Sequence, residues 1–384
     1  MNGNNSVPNI RFKGFQDDWE NDSIKNVSTM KSGGTPSVNK REYYVGDIPF
    51  IRSSDIKKKT TELKINDEAL KNSSSFVVEK GTVLYALYGA TSGQVAISKV
   101  TGAINQAVLA IFPDEFVNKY FLLYWLSFNK GKITNKYLQG GQGNLSAKIV
   151  KNLLLFFPSK QEQQKISNFF AKLDKLLDLQ QQKIDKLELL KKALLQKLFP
   201  RHDARIPEFR FKGFEDVWES MKFKNILNYE RPDKYIVKSD NYSNNGIPVL
   251  TANKSFILGY TQESSFYEKP LPIIIFDDFT LDCKLVKFPF KIKSSAIKIL
   301  SSNNFSDIWF DFYLLKSTSF IKEGHARHYI SIVQNKKINV PCEQEQQKIG
   351  NLLSKVDQLI ELENKKLQNF QQLKKCLLQN MFVE

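Results

Sequence analysis

Two stretches of the chain place apolar residues at intervals of three and four. In the first, Ile166, Phe169, Phe170, Leu173, Leu176, Leu177, Ile184, Leu187, Leu190, Leu194 and Leu198 form one stripe, with no Gly or Pro between Pro158 and Pro200. The second carries Ile349, Leu352, Leu353, Val356, Leu359, Ile360, Leu367, Phe370, Leu373, Leu377 and Met381. This period predicts two long amphipathic helices. At 1.5 Å per residue each should run about 58 Å, more than one globular core needs to cover, so the two are expected to pack on each other. Pro158 and Pro341 stand before the helices, where a missing N–H is tolerated, and Pro200 closes the first. Polar Gln180 and Glu363 interrupt the stripes at matching places. Either an exposed polar turn or a buried polar pair that sets the register would explain them.

Between the helical stretches the pattern changes to short β-branched and aromatic runs separated by Gly-bearing turns, which predicts strands. Such runs are 76–78, 82–85, 94–97 and 107–112, and later 247–250, 273–276 and 296–300. Apolar runs 120–126 and 309–315 predict short buried helices.

The chain also contains itself twice, the signature to seek before assigning a fold. Residues 7–19 return at 206–218 with 8 of 13 positions identical, and 158–199 return at 341–382 with 20 of 42 identical. The offsets are 199 and 183, so all of the length difference lies in the dissimilar segments between the repeats. Two copies of one unit associate most simply about a pseudo-twofold axis, which makes the helices antiparallel. The expected fold is therefore α+β. Two mixed α/β domains, 1–157 and 201–340, are each followed by a long helix, 158–200 and 341–384, and the helices pair as an antiparallel coiled coil.

Composition narrows the function. The chain has 384 residues, with 56 Lys+Arg against 40 Asp+Glu for a net charge of +16, which favours a polyanionic partner, nucleic acid first. Residues 160–199 carry +4 and 343–384 carry zero, so about +12 belongs to the globular domains. With 41% hydrophobic residues this is not a disordered basic tail. Three cysteines, 283, 342 and 376, form no CxxC, which argues against a disulfide framework or zinc ribbon and suits a reducing compartment. The first residues have no apolar signal region, and the longest near-apolar stretch, 120–128, falls far short of the ~18 residues of a spanning helix. A cytoplasmic protein without membrane association is expected.

No phosphate-binding GxxxxGK[ST], no GxGxxG after a strand and no methyltransferase Asn/Asp-Pro-Pro-aromatic tetrad occurs. Gly140-Gly141-Gln142-Gly143 reads as a flexible turn. His325 and His328 with Cys342 make a poor metal set, and Asp277, Asp278 and Asp282 are too closely spaced for a nuclease centre. No catalytic residue, metal or cofactor is expected. What remains are loops of Arg, Lys, amides, hydroxyls and aromatics, the side chains that read base edges and phosphates. The candidate DNA contacts in the first domain are Thr35, Ser37, Arg52, Ser53, Tyr88, Thr91, Ser92, Gln94, Gln142, Asn144 and Lys148. In the second they are Thr251, Asn253, Lys254, Arg327, His328 and Tyr329.

The order of variable domain, helix opening on Pro-x-x-Gln-Glu-Gln-Gln-Lys-Ile, second variable domain and second such helix resembles the DNA-specificity subunit of type I restriction-modification systems over essentially the whole chain. Gly33-Gly34-Thr35-Pro36-Ser37, Ile48 to Ile56 and Asn105-Gln106-Ala107 are similar to motifs of its target-recognition domains; the second domain has only Gly246 to Leu250 in their place. The resemblance implies a non-catalytic reader of a bipartite sequence in double-stranded DNA, one half per domain. It also implies recruitment of two methyltransferase subunits and, for cleavage, two nuclease/translocase subunits. Trp19, Trp218, Lys186 and Lys192, on the repeated segments, are the candidate partner contacts. An autonomous DNA-modifying enzyme and a coiled-coil adaptor are the rival classes. The first lacks cofactor motifs, and the second leaves the divergent basic domains unexplained.

Overall fold

A computed structural model of the chain describes residues 7–138, 144–201, 204–251, 255–321 and 328–383. The long helices are present as Lys160–Lys197 and Glu343–Met381. Two compact units divide between Leu179 and Gln180 and again between Lys366 and Leu367. Each unit thus holds one variable domain, the start of the helix that follows it, and the end of the other helix.

In the first unit a four-stranded antiparallel sheet has the order Ser28–Ser32, Val108–Pro113, Val83–Ala86, Val95–Ile97. A second sheet runs Lys64–Ile65, Ile48–Ile51, Gly102–Ile104, Phe76–Val78, with its middle pair parallel. The ribbon Glu20–Ser23 with Leu154–Phe157 and the helix Lys119–Leu138 complete the domain. The second unit follows the same plan. Leu227–Glu230, Ile297–Ser302, Ile273–Asp277 and Cys283–Val286 form the antiparallel sheet. Ile257–Thr261, Ile247–Leu250 and Lys291–Ile292 form the mixed one, again with a parallel pair. Glu219–Lys222 with Lys337–Val340 is the ribbon, and Ile308–Ser317 the helix. The variable segments therefore share a topology that their sequences hide, because a strand needs only apolar alternation and not particular residues.

The repeated motifs are consumed in holding this plan. In the first unit Arg11 donates from Nε and Nη2 to both oxygens of Glu162 at 2.8 Å, and in the second Arg210 does the same to Glu345. Both carboxylates are about 1% exposed. The next residue ties the helix start to the domain: the Gln163 amide accepts from Asn118 N and donates to Phe116 O, while that of Gln346 accepts from Asp307 N and donates to Phe305 O. Lys165 lies over Phe15 and Lys348 over Phe214. Gly350 sits where a Cβ would come within 2.9 Å of Phe310 N, so the second helix approaches the domain too closely for a side chain.

The helix segments run antiparallel within each unit. Asp174 pairs with Lys374 and Phe170 stacks on Phe382 in the first, while Asp357 pairs with Lys191 and Glu363 with Lys183 in the second. Each bridging aspartate also accepts a domain tyrosine, Tyr124 on Asp174 at 2.9 Å and Tyr313 on Asp357 at 2.7 Å. The polar interruption of the stripes is a hydrogen-bonded pair in which Glu363 is buried and Gln180 half-buried. Gln180 Nε2 donates to Glu363 O at 2.9 Å and Oε2 at 2.6 Å, and Glu363 is 3% exposed. Donation from Gln180, Lys183 and Lys366 draws its pKa down to about 2. Two glutamates here would repel, so the unlike pair marks which helix is which.

The stripes are narrower than their sequence suggests. Leu176, Leu190, Leu359 and Leu373 stand 41–48% exposed. One straight helix covers only one face of another, and stripes two residues wide exceed that face. Among the described residues no helix is long and apolar enough to cross a membrane.

Candidate nucleic-acid interface

In the first unit, backbone pairing gathers the sequence-predicted loops at one end of the sheets. Gly33 N and Gly34 N donate to Val108 O and Ile104 O, Leu87 N to Ala107 O, Leu145 N to Leu87 O, and Asn105 N to Ile51 O. These bonds bring residues 33–37, 52–54, 87–94, 105–107 and 144–148 side by side. The glycine pair is a matter of space: a Cβ on Gly33 would lie 1.9 Å from Ile104 O. Gly89 and Gly93, at φ +78° and +77°, form the turn in the loop that carries Thr91 and Gln94.

Thr35, Ser37, Asn144 and Lys148 are exposed, and Ser53, Tyr88, Thr91 and Gln94 are half-buried. Thr35 Oγ1 donates to Gln106 Oε1, which adds Gln106 to the group. Arg52 is already engaged, donating to Asp55 at 2.9 Å and Glu62 at 2.7 Å, so its guanidinium braces the loop and has fewer N–H groups left for a base. Ser92 is buried, donating to Gly89 O at 2.8 Å; it shapes the turn and drops out as a DNA contact. Gln142 lies outside the described residues. Partial burial of its amine, then the charges of Lys130, Lys374 and Lys99, lowers the Lys57 pKa, although Lys374 is itself paired with Asp174. The run Lys57-Lys58-Lys59 was the available signal for this lysine.

The corresponding end of the second unit is built differently. Asn253, Lys254 and Arg327 lie outside the described residues. The remaining candidates, Thr251, His328 and Tyr329, are 6%, 0% and 1% exposed and belong to the interior. His328 Nδ1 lies 2.8 Å from Asp278 O, Tyr329 N donates to Asp278 Oδ1 at 2.8 Å, and Lys298 pairs with Asp278 at 3.1 Å. A side chain so enclosed offers no edge to DNA, so all three are withdrawn as contacts. The loop Phe279 to Asp282 takes the exposed position, with Phe279 46% exposed and Leu281 at φ +60°. A single aromatic between two aspartates and a threonine gave no sequence signal. Among the described residues no three His, Cys, Asp or Glu side chains gather as metal ligands.

Trp19 and Trp218 are also interior, 2% and 1% exposed, so neither can meet a partner directly. Lys186 and Lys192 are exposed. The stronger feature is a set of bare leucines at equivalent positions: Leu176 and Leu359 with Leu190 and Leu373, missed because the stripe was assigned to the helix seam, and Leu179 and Leu362, which lie outside that stripe.

Comparison with known proteins gives one family. The Type I restriction modification DNA specificity domain matches residues 16–189 and 215–372. The type I restriction enzyme EcoR124I/EcoR124II specificity subunit of Escherichia coli is 38% identical over 156 residues, covering 39% of this chain and 38% of that protein. The MjaIX specificity subunit of Methanocaldococcus jannaschii is 25% identical over 401 aligned positions, covering 94% and 92%. The S subunit structure from M. genitalium superposes with a TM-score of 0.68 at 17% identity, covering 98% of this chain and 99% of that one, a likeness of fold.

Proposed function

The chain belongs to the type I restriction-modification DNA specificity family, and from that premise we propose that it reads a bipartite target in double-stranded DNA, one half with each variable domain. As a specificity subunit it is non-catalytic and contributes recognition to a complex whose other members modify or cut DNA. In this reading it acts in the cytoplasm and holds two methyltransferase subunits, joined for cleavage by two nuclease/translocase subunits. The observation that carries the proposal is one topology used twice, with the same motif-built frame but different loops at the end of each sheet. A frame kept alike suits a partner present twice, and loops that diverge suit two different half-sites. Support for the docking surface comes from the equivalent bare leucines, since an exposed apolar stripe rimmed by charge marks a protein contact.

Exchange of residues 20–157 for the first domain of another family member tests the half-site assignment. Methylome sequencing of a host carrying the hybrid with its partners is expected to show one half of the target changed and the other kept; a change in both halves would refute it. Leu179→Glu with Leu362→Glu tests the docking surface. Size-exclusion chromatography should show partner binding weakened at least tenfold while the melting temperature holds, and full assembly of this variant would remove the leucines from the contact.

A further inference from the structure

The frame is duplicated, but one surface of it is not. In the second unit a groove of about 1220 Å³ lies between the end of the first long helix, the ribbon of Glu219–Lys222 with Lys337–Val340, and the end of the helix Ile308–Ser317. Seven of its twenty lining residues are Lys or Arg, against one acid, Glu188. Two of the seven have partners in the fold, Lys191 with Asp357 and Lys316 with Asp282. Arg205 gives its Nε to Trp218 O at 2.9 Å. Arg201, Lys336 and Lys337 are exposed; Arg201 lies near enough to Glu208, the partner of Lys197, to help lower its pKa, and among the described residues none of the three forms a close ion pair with a carboxylate.

At the repeat offset of 183 their counterparts in the other copy are Glu384, Leu153 and Leu154. Since the neighbouring frame residues are held alike in both copies, these cations answer to something the chain meets on one side only. Their chemistry identifies it. Uncompensated positive charge on a groove rim repels itself until a polyanion arrives. The same walls carry Ser317, Thr318, Ser319, Asn335 and Asn339, the hydroxyls and amides that accompany Lys and Arg at phosphates. The groove is also continuous with the reading end: Lys316 on its wall pairs with Asp282 of the exposed loop, and Asn335 to Lys337 follow closely on the segment His328–Ser331 seated against Asp278.

We propose that this groove is a sequence-independent site for the DNA phosphodiester backbone flanking the half-site read by the second domain. The inference rests on the DNA-reading function proposed above. It assigns Arg201, Lys336 and Lys337 to phosphates and not to bases, and it makes the protein grip DNA unequally on its two sides.

The test uses the full chain with its methyltransferase partners and a 60-base-pair duplex containing the target, with binding measured from low to moderate salt. Each neutralised phosphate contact contributes about −0.9 to the slope of log K against log salt. The triple variant Arg201→Gln, Lys336→Gln, Lys337→Gln should therefore give a slope shallower by about 2 to 3 while the preference for target over scrambled duplex is unchanged. Lys336→Leu with Lys337→Leu, which installs the residues the other copy uses, should make it shallower by about 1 to 2. Slopes equal to the wild-type slope in both variants would overturn the proposal, as would loss of partner assembly at an unchanged slope, which would assign the groove to an acidic protein segment. A wild-type complex that does not distinguish target from scrambled duplex would instead refute the DNA-reading function itself.

Discussion

Phe382→Ala is expected to open the first unit and leave the second intact. The ring is 2% exposed and comes from the last residues of the chain, yet it lies among Trp19, Phe121, Phe128 and Phe170 at centroid distances of 6.4, 5.3, 5.9 and 6.0 Å. Its counterpart Phe199 meets Trp218 and Phe310 in the second unit at 6.4 and 5.6 Å. Truncating a fully packed Phe costs about 3–5 kcal/mol, because transfer energy and the cavity add. That is a large share of the roughly 5–15 kcal/mol that stabilises a domain. Native-state hydrogen exchange reads the units separately. Amides in Val83–Ala86 should lose protection while those in Ile273–Asp277 keep theirs, and Phe199→Ala should reverse the pattern. Equal loss in both units would mean that the chain end is not a local plug.

Arg210→Met should be comparably severe for a different reason. It leaves the Glu345 carboxylate, about 1% exposed, without its bidentate partner. Removing one member of a buried ion pair costs about 3–5 kcal/mol, whereas replacing both by apolar groups of similar size is often near neutral. A loss of that size lowers the melting temperature of a unit of this length by about 6–20 °C. The double variant Arg210→Met with Glu345→Met should recover most of it. The comparison by calorimetry separates an orphaned charge from a lost attraction, since a double variant no better than the single would show that the pair itself is what stabilises.

These two variants explain why the repeats are repeated. Arg210 belongs to the segment at 206–218 and Glu345 to the helix start 135 residues later, so each repeated motif is half of a contact whose other half lies beyond the variable domain. Residues that must match a distant partner change little between copies. Strands that need only apolar alternation diverge.

The sequence by itself determined the duplication, the two long helices, the placement of most strands and the family, because periodicity and repeated motifs are local properties of the chain. It also located the first-domain loops, whose glycines are constrained by close backbone approach. Burial was decided by the tertiary structure alone. His328, Tyr329, Thr251 and the two repeat tryptophans have the side chains of a contact surface, and they are interior because Asp278, the strand ends and the helix-terminal phenylalanines enclose them. Leu176 and Leu359 have the side chains of a core, and they are bare because a paired helix covers only one face. Side-chain type records what a position tolerates, whereas exposure depends on what packs against it, and here those neighbours come from the far side of a variable domain or the other end of the chain.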